Sequence, residues 1–116
     1  MEIYTIMSTN EPESITYRVP CNNTLQHACK LSMVDDKPIM LDYWANSCDK
    51  QVLIGIRESG EKLLVKSEDE YTSPVSKIYK VGEGEDENGK SIEDYIIITE
   101  NSIYLVNADI ETKRIS

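Results

Sequence analysis

The chain has 116 residues, of which 40% are hydrophobic and 28% are charged, a composition typical of one globular domain with its own core. Acidic residues outnumber basic ones by 21 to 12, which gives a formal net charge of −9. Phosphate contacts need clustered Lys and Arg, so this charge argues against nucleic acids and anionic membranes as partners. We expect a protein partner with a basic surface, or self-association.

The cellular compartment is indicated by what the chain lacks. No apolar run reaches transmembrane length, and the first residues lack the basic and apolar regions of a signal peptide. Three cysteines cannot all pair within one chain, which favours a reducing environment. We therefore expect a cytoplasmic protein.

The first third of the chain predicts two strands and then a helix. Residues 2–7 and 14–19 have strand composition, and a turn around Pro12 separates them. Residues 22–33 predict a short helix capped by Asn23 or Thr24. The side chains expected on its buried face are Leu25, Ala28, Cys29 and Ser32.

A turn at residues 35–38 leads to a predicted strand at residues 39–45, IMLDYWA. Alternation along a strand would place Tyr43 and Trp44 on opposite faces. Core burial is the ordinary role of such a tryptophan, whereas an exposed Trp44 would be an interaction anchor.

Residues 51–66 predict a hairpin with its break at residues 58–61. A loop of two or four residues would put Ile54 on the same face as Leu63. A loop of three residues would set Lys62 opposite Ile56, and the sequence argues against that register.

An acidic connector at residues 67–73 precedes a predicted strand at residues 75–81, and an acidic loop at residues 82–91 follows. Residues 84–91, GEDENGKS, match the phosphate-binding loop pattern. Three carboxylates stand where phosphates would bind, and the stretch leads into a strand instead of a helix, so we interpret it as a solvated loop.

Residues 94–107, DYIIITENSIYLVN, give the clearest pattern, a hairpin that turns at Glu100 and Asn101. The pairing predicts an aliphatic core face of Ile96, Ile98, Ile103 and Leu105. The other face is mixed, and exposed Tyr95 and Tyr104 there would mark a partner site. Residues 108–116 predict a polar, loosely held tail.

These elements predict a single domain over residues 1–116, of the α+β class and mostly β. We expect a small antiparallel barrel or curved sheet of about seven strands with one short helix.

Metal and catalytic chemistry have weak signals. A zinc site would need four soft ligands, and Cys21, His27, Cys29 and Cys48 supply that number, but without CxxC or HxxxH spacing. We expect ordinary core thiols, no cofactor, and no catalytic constellation, which favours a non-enzyme.

Residues 37–45, KPIMLDYWA, followed by Cys48, resemble the strand that leads to the active site of thioredoxins. Gln51 stands where that family has its second cysteine, and strand composition follows where it has a long helix. The resemblance implies an alternative function, a thioredoxin-like or monothiol redox protein that uses Cys48.

A wider resemblance comes through residues 61–74, EKLLVKSEDEYTSP, and residues 95–106, YIIITENSIYLV, with LDYW upstream. Over about residues 38–116 the chain resembles small uncharacterised proteins of giant nucleocytoplasmic DNA viruses. The resemblance implies a viral setting, in the virion or the host cytoplasm, and brings no catalytic residue. Our first hypothesis is a non-enzymatic, acidic interaction or structural module.

Overall fold

The structure is a computed structural model, and it describes residues 18–85, 89 and 91–115. The predicted strand at residues 2–7, the turn at Pro12 and most of the predicted strand at residues 14–19 lie outside this part. Most of the acidic loop at residues 86–90 lies outside it as well.

The described part contains two helices and eight strands. The helices are α1 (Asn22–Asp35) and α2 (Trp44–Cys48). The strands are β1 (Ile39–Met40), β2 (Leu53–Ile56), β3 (Lys62–Ser67), β4 (Glu70–Tyr71), β5 (Val75–Glu85), β6 (Ser91–Thr99), β7 (Ile103–Asn107) and β8 (Glu111–Arg114). Neither helix is both long and apolar enough to cross a membrane.

The first sheet has the strand order β1-β7-β6-β5. The hairpin predicted for residues 94–107 is confirmed as β6 and β7, with Ile98 opposite Ile103 and the Thr99 amide bonded to the Ser102 carbonyl across the turn. β5 pairs antiparallel with β6, whereas β1 pairs parallel with β7.

The second sheet has the order β4-β3-β2-β8. The predicted hairpin of residues 51–66 is confirmed as β2 and β3, but its predicted register is wrong because Ile56 does lie opposite Lys62. The Arg57 amide donates to the Glu61 carbonyl at 2.9 Å and closes a loop of three residues, in which Gly60 has φ 95°. Lys62 is tolerated there because it is exposed at the end of its strand.

Three layers result, because both faces of the first sheet are covered. α1 and Trp44 pack against its aliphatic face, which is fully buried as predicted. The mixed face packs against Ile54 and Leu64 of the second sheet and against Tyr43. Two hydrophobic clusters therefore share the hairpin of β6 and β7 as their common wall.

The predicted helix is confirmed in position, but its predicted buried face is wrong. Thr24 and Ala28 are buried and Leu31 packs on the core, whereas Cys29 is exposed. The predicted cap is also wrong, since Cys21 is the N-cap residue and no side chain caps the helix. Polar residues surround α1 on most sides, so its apolar stripe is narrow.

The strand predicted for residues 39–45 is wrong beyond Met40. A turn follows, and α2 begins at Trp44. Because the backbone coils here, Tyr43 and Trp44 do not alternate across a strand, and both are buried. Tyr43 enters the cluster between the sheets and Trp44 the cluster beneath α1.

The α+β class with mostly strands is confirmed, and two mixed, open sheets with two helices take the place of a closed antiparallel barrel with one helix. The parallel pairs of β1 with β7 and of β2 with β8 explain the difference, since they place chain-distant strands at sheet edges. The prediction of a loose tail is wrong for β8, which hydrogen-bonds along β2.

Candidate functional site

The residues singled out from the sequence converge only in part. Trp44 and Cys48 lie at the two ends of α2, below the aliphatic face of the first sheet. Trp44 is 8% exposed, so little of its surface is open to a partner. Its indole Nε1 donates a hydrogen bond to the Arg18 carbonyl at 2.7 Å.

Arg18 connects this cluster to a buried carboxylate that the sequence reading missed. Its Nη2 lies 2.6 Å from Oδ1 of Asp94, which is 0% exposed, and its guanidinium carbon lies 5.1 Å from the centre of the Trp44 ring. The other oxygen, Oδ2, accepts from the Cys21 amide at 2.9 Å and from the Thr24 hydroxyl at 2.8 Å. A buried carboxylate needs such partners to stay charged, so this network fastens the start of α1 to β6.

A cavity of about 250 Å³ opens beside Arg18, lined also by Glu93, Asn107 and Asp109. Its volume is below the range of about 300–1,000 Å³ that is common for small-molecule sites. The Arg18 guanidinium is already bound to Asp94 and to the Glu93 carbonyl. This cavity therefore borders the structural network and shows no charged group left over for a ligand.

Cys48 is the one cysteine with a perturbed thiol. Burial raises the pKa of its thiol, and this effect outweighs the hydrogen bond from the Asn107 side chain and the nearby positive charge of Arg18, both of which lower it. Asn107 Nδ2 lies 3.9 Å from the Cys48 sulfur. A raised pKa reduces the thiolate fraction, and the thiolate is the nucleophile in thiol exchange.

The four soft ligands considered for zinc are spread along α1, its N-terminus and α2. Cys29 is exposed and Cys21 is half-buried next to Arg18. His27 lies on the flank of α1 that faces β5. Within residues 18–85, 89 and 91–115, no group of three or more His, Cys, Asp or Glu side chains could hold a metal ion.

The tyrosines of the mixed face are half-buried between the sheets. Tyr95 and Tyr104 pack against the second cluster, and Tyr104 makes an edge-to-face contact with Tyr43 at 5.3 Å between ring centres. Burial raises the pKa of Tyr104 and raises that of Tyr43 to about 12. These rings therefore serve mainly as packing between the two sheets.

The most open apolar surface lies elsewhere, in a groove between α1 and β5 of about 710 Å³ that we call the α1–β5 groove. The described residues that line it are Asn23, His27, Lys30, Leu31, Val34, Tyr79, Lys80, Val81, Gly82 and Ile96. Val34 is 80% exposed and Tyr79 is 39% exposed. Sequence patterns contained part of this signal, because His27, Lys30 and Val34 follow helical spacing along one flank.

Comparisons with known proteins add no relative to this description. No family model, no curated protein and no solved structure matches the chain. The candidate site therefore rests on geometry alone, and the α1–β5 groove is the surface with the most apolar area open to a partner.

Proposed function

We propose that this chain is a non-enzymatic, acidic module that binds another protein or takes part in an assembly. The observation that supports it best is the α1–β5 groove, where Val34 and Tyr79 stay exposed next to a well-packed core. Apolar surface of this kind on a folded domain commonly marks a protein interface. The binding chemistry is therefore expected on the helix side of the first sheet.

The net charge of −9 adds a long-range component. It attracts a partner with a basic surface and speeds encounter at low ionic strength. The resemblance of residues 38–116 to giant-virus proteins supports a viral setting, in which the partner is a virion component or a host factor. The cysteine content supports the cytoplasm or the virion interior as the compartment.

A pull-down with the tagged chain from infected or native cells tests the proposal. We expect a saturable protein partner whose retention falls as salt is raised, because screening weakens attraction between exposed charges. Retention that does not change between low and high salt would contradict electrostatic recognition. Failure to saturate any partner would contradict the interaction function itself.

The alternative is a thioredoxin-like or monothiol redox protein that uses Cys48. The Asn107 side chain, which donates to the Cys48 sulfur, is the observation that favours it. Burial of the thiol opposes it by raising the pKa. Alkylation of Cys48 as a function of pH separates the two functions, since a redox thiol must react at neutral pH faster than free cysteine.

A further inference from the structure

We infer that the α1–β5 groove receives an extended segment of another protein that carries carboxylates next to apolar side chains. The inference rests on the proposed interaction function and specifies the chemistry of the partner at that surface. Its basis is the contrast between the charge of the groove and the charge of the whole chain.

The groove lining departs from the composition of the protein. None of the described residues that line it is acidic, whereas Lys30, Lys80 and His27 are basic or can become so. Lys77 is exposed on the same face of β5 as Tyr79, at the mouth of the groove. On a chain of net charge −9, this local set of cations selects for carboxylates in the contacting segment.

The cations differ in how far they are already neutralised. Lys80 lies 3.5 Å from Glu93 and is half-exposed with it. Within the described part of the chain, Lys30 and Lys77 form no ion pair. These two lysines are therefore the ones that a partner carboxylate would meet.

Apolar side chains form the floor and one wall of the groove. Leu31 and Val81 pack on the core cluster and give a firm base, and Ile96 is fully buried below them. Val34 and Tyr79 rise above this base and are exposed. An inserted apolar side chain would cover both, which supplies the binding energy that exposed ion pairs alone do not.

The shape of the groove favours an extended occupant. β5 is the last strand of the first sheet among the described strands, and α1 runs beside it. A strand-like segment lying between them can use main-chain hydrogen bonds to the edge and can direct alternate side chains toward the helix. The overall negative charge acts during approach, whereas the groove determines which segment is held.

Two dye-labelled peptides of equal length are suitable probes. Both carry leucine and valine at alternate positions, with glutamate between them in one peptide and lysine in the other. Fluorescence anisotropy gives the affinities, and amide chemical shifts locate the contact. We expect the glutamate peptide to bind more tightly and to shift resonances of α1 and β5.

Two pairs of variants isolate the groove. Lys30→Glu should weaken the glutamate peptide by about three- to tenfold, whereas Lys113→Glu on β8 makes the same charge change away from the groove and should have little effect. Val34→Ser should weaken it by a similar factor, and Met33→Ser, at an equally exposed site of α1 that does not line the groove, should not.

Three results would overturn the inference. The lysine peptide could bind as tightly as the glutamate peptide, or Lys30→Glu could cost no more than Lys113→Glu. The protein could instead form a dimer that protects Val34 and Tyr79, which would make a second copy the occupant. If a cellular partner from the pull-down binds the Lys30→Glu and Val34→Ser variants normally, the groove inference fails while the interaction function stands.

Discussion

Replacement of the buried carboxylate Asp94 with asparagine should destabilise the fold strongly, although the shape of the side chain is kept. An amide oxygen placed at the Oδ2 position would still accept from Cys21 and Thr24, which lie 2.9 and 2.8 Å away. The amide nitrogen would then face the Arg18 guanidinium, where Oδ1 now lies at 2.6 Å. One donor would meet another, and a positive charge would lose its counter-charge.

The size of the effect follows from the burial of the two partners. Breaking a fully buried ion pair by removing one partner costs about 3–5 kcal/mol. Because the Arg18 side chain is 30% exposed and can recruit water, we expect a lower cost for Asp94→Asn. The discounted free-energy cost is about 2–3 kcal/mol. At a urea dependence of about 1–3 kcal/mol per molar, the unfolding midpoint should fall by roughly 1–2 M.

Urea unfolding followed by the fluorescence of Trp44, the single tryptophan, measures this change. Trp44 contacts Arg18 directly, so its emission also reports on the network in the native state. Glu93→Gln is the matched control, because it removes a neighbouring carboxylate that is exposed and should change stability by less than about 0.5 kcal/mol. If Asp94→Asn costs no more than this control, the network does not hold α1 to β6.

The remaining predictions concern the contacts between the two sheets and the edge of the second sheet. Stability should fall as pH rises from about 10 to 12, because Tyr43 keeps its proton in the fold, with a pKa of about 12, and loses it near 10.0 in the unfolded chain; the slope is about 1.4 kcal/mol per pH unit, and Tyr43→Phe should flatten it in urea titrations at pH 10–12. Gly55→Ala should cost about 1–3 kcal/mol, because the added Cβ would lie 2.7 Å from Cδ1 of Ile115. In an Ile115→Ala background the same change should cost clearly less, and thermal unfolding of the four proteins of this cycle would contradict the contact if the two costs were equal. Gly60→Ala should cost about 1 kcal/mol in chemical denaturation, because φ is 95° in the β2–β3 loop, and no loss would show that the loop can relax.

The sequence predicted the hairpin of residues 94–107 in full, including its turn and its two faces. Its β-branched residues alternate over two long runs with a clear polar break, so local pattern and tertiary packing agree. The second hairpin was predicted in position but with the wrong register. The criterion that failed was the assumption that a lysine cannot lie opposite an isoleucine, which does not hold at the exposed end of a strand.

Residues 39–45 show why short apolar runs mislead. The run IMLDYWA fits strand alternation as well as it fits a strand of two residues, a turn and a five-residue helix. Its outcome depends on two pockets that lie on opposite sides of the first sheet, and these take Tyr43 and Trp44. No local pattern contains that information.

The candidate sites were predictable to a smaller extent. Asp94 stands at the start of a hairpin, where a carboxylate usually faces water, and its burial depends on Arg18, which lies 76 residues earlier. The α1–β5 groove likewise requires a helix flank and an edge strand that are distant in sequence. In both cases the residue types were visible, and the chain-distant neighbour that gives them a role was not.

The parallel pairing of β8 with β2 has a consequence for synthesis. Strands β2, β3 and β4 follow one another along the chain and can pair as they emerge, because their contacts are local. α1 emerges earlier still, yet its anchor Asp94 and the last strand of the second sheet are made much later. A nascent chain thus exposes the apolar side of α1 until β6 emerges, and that interval is when chaperones or aggregation would compete for it.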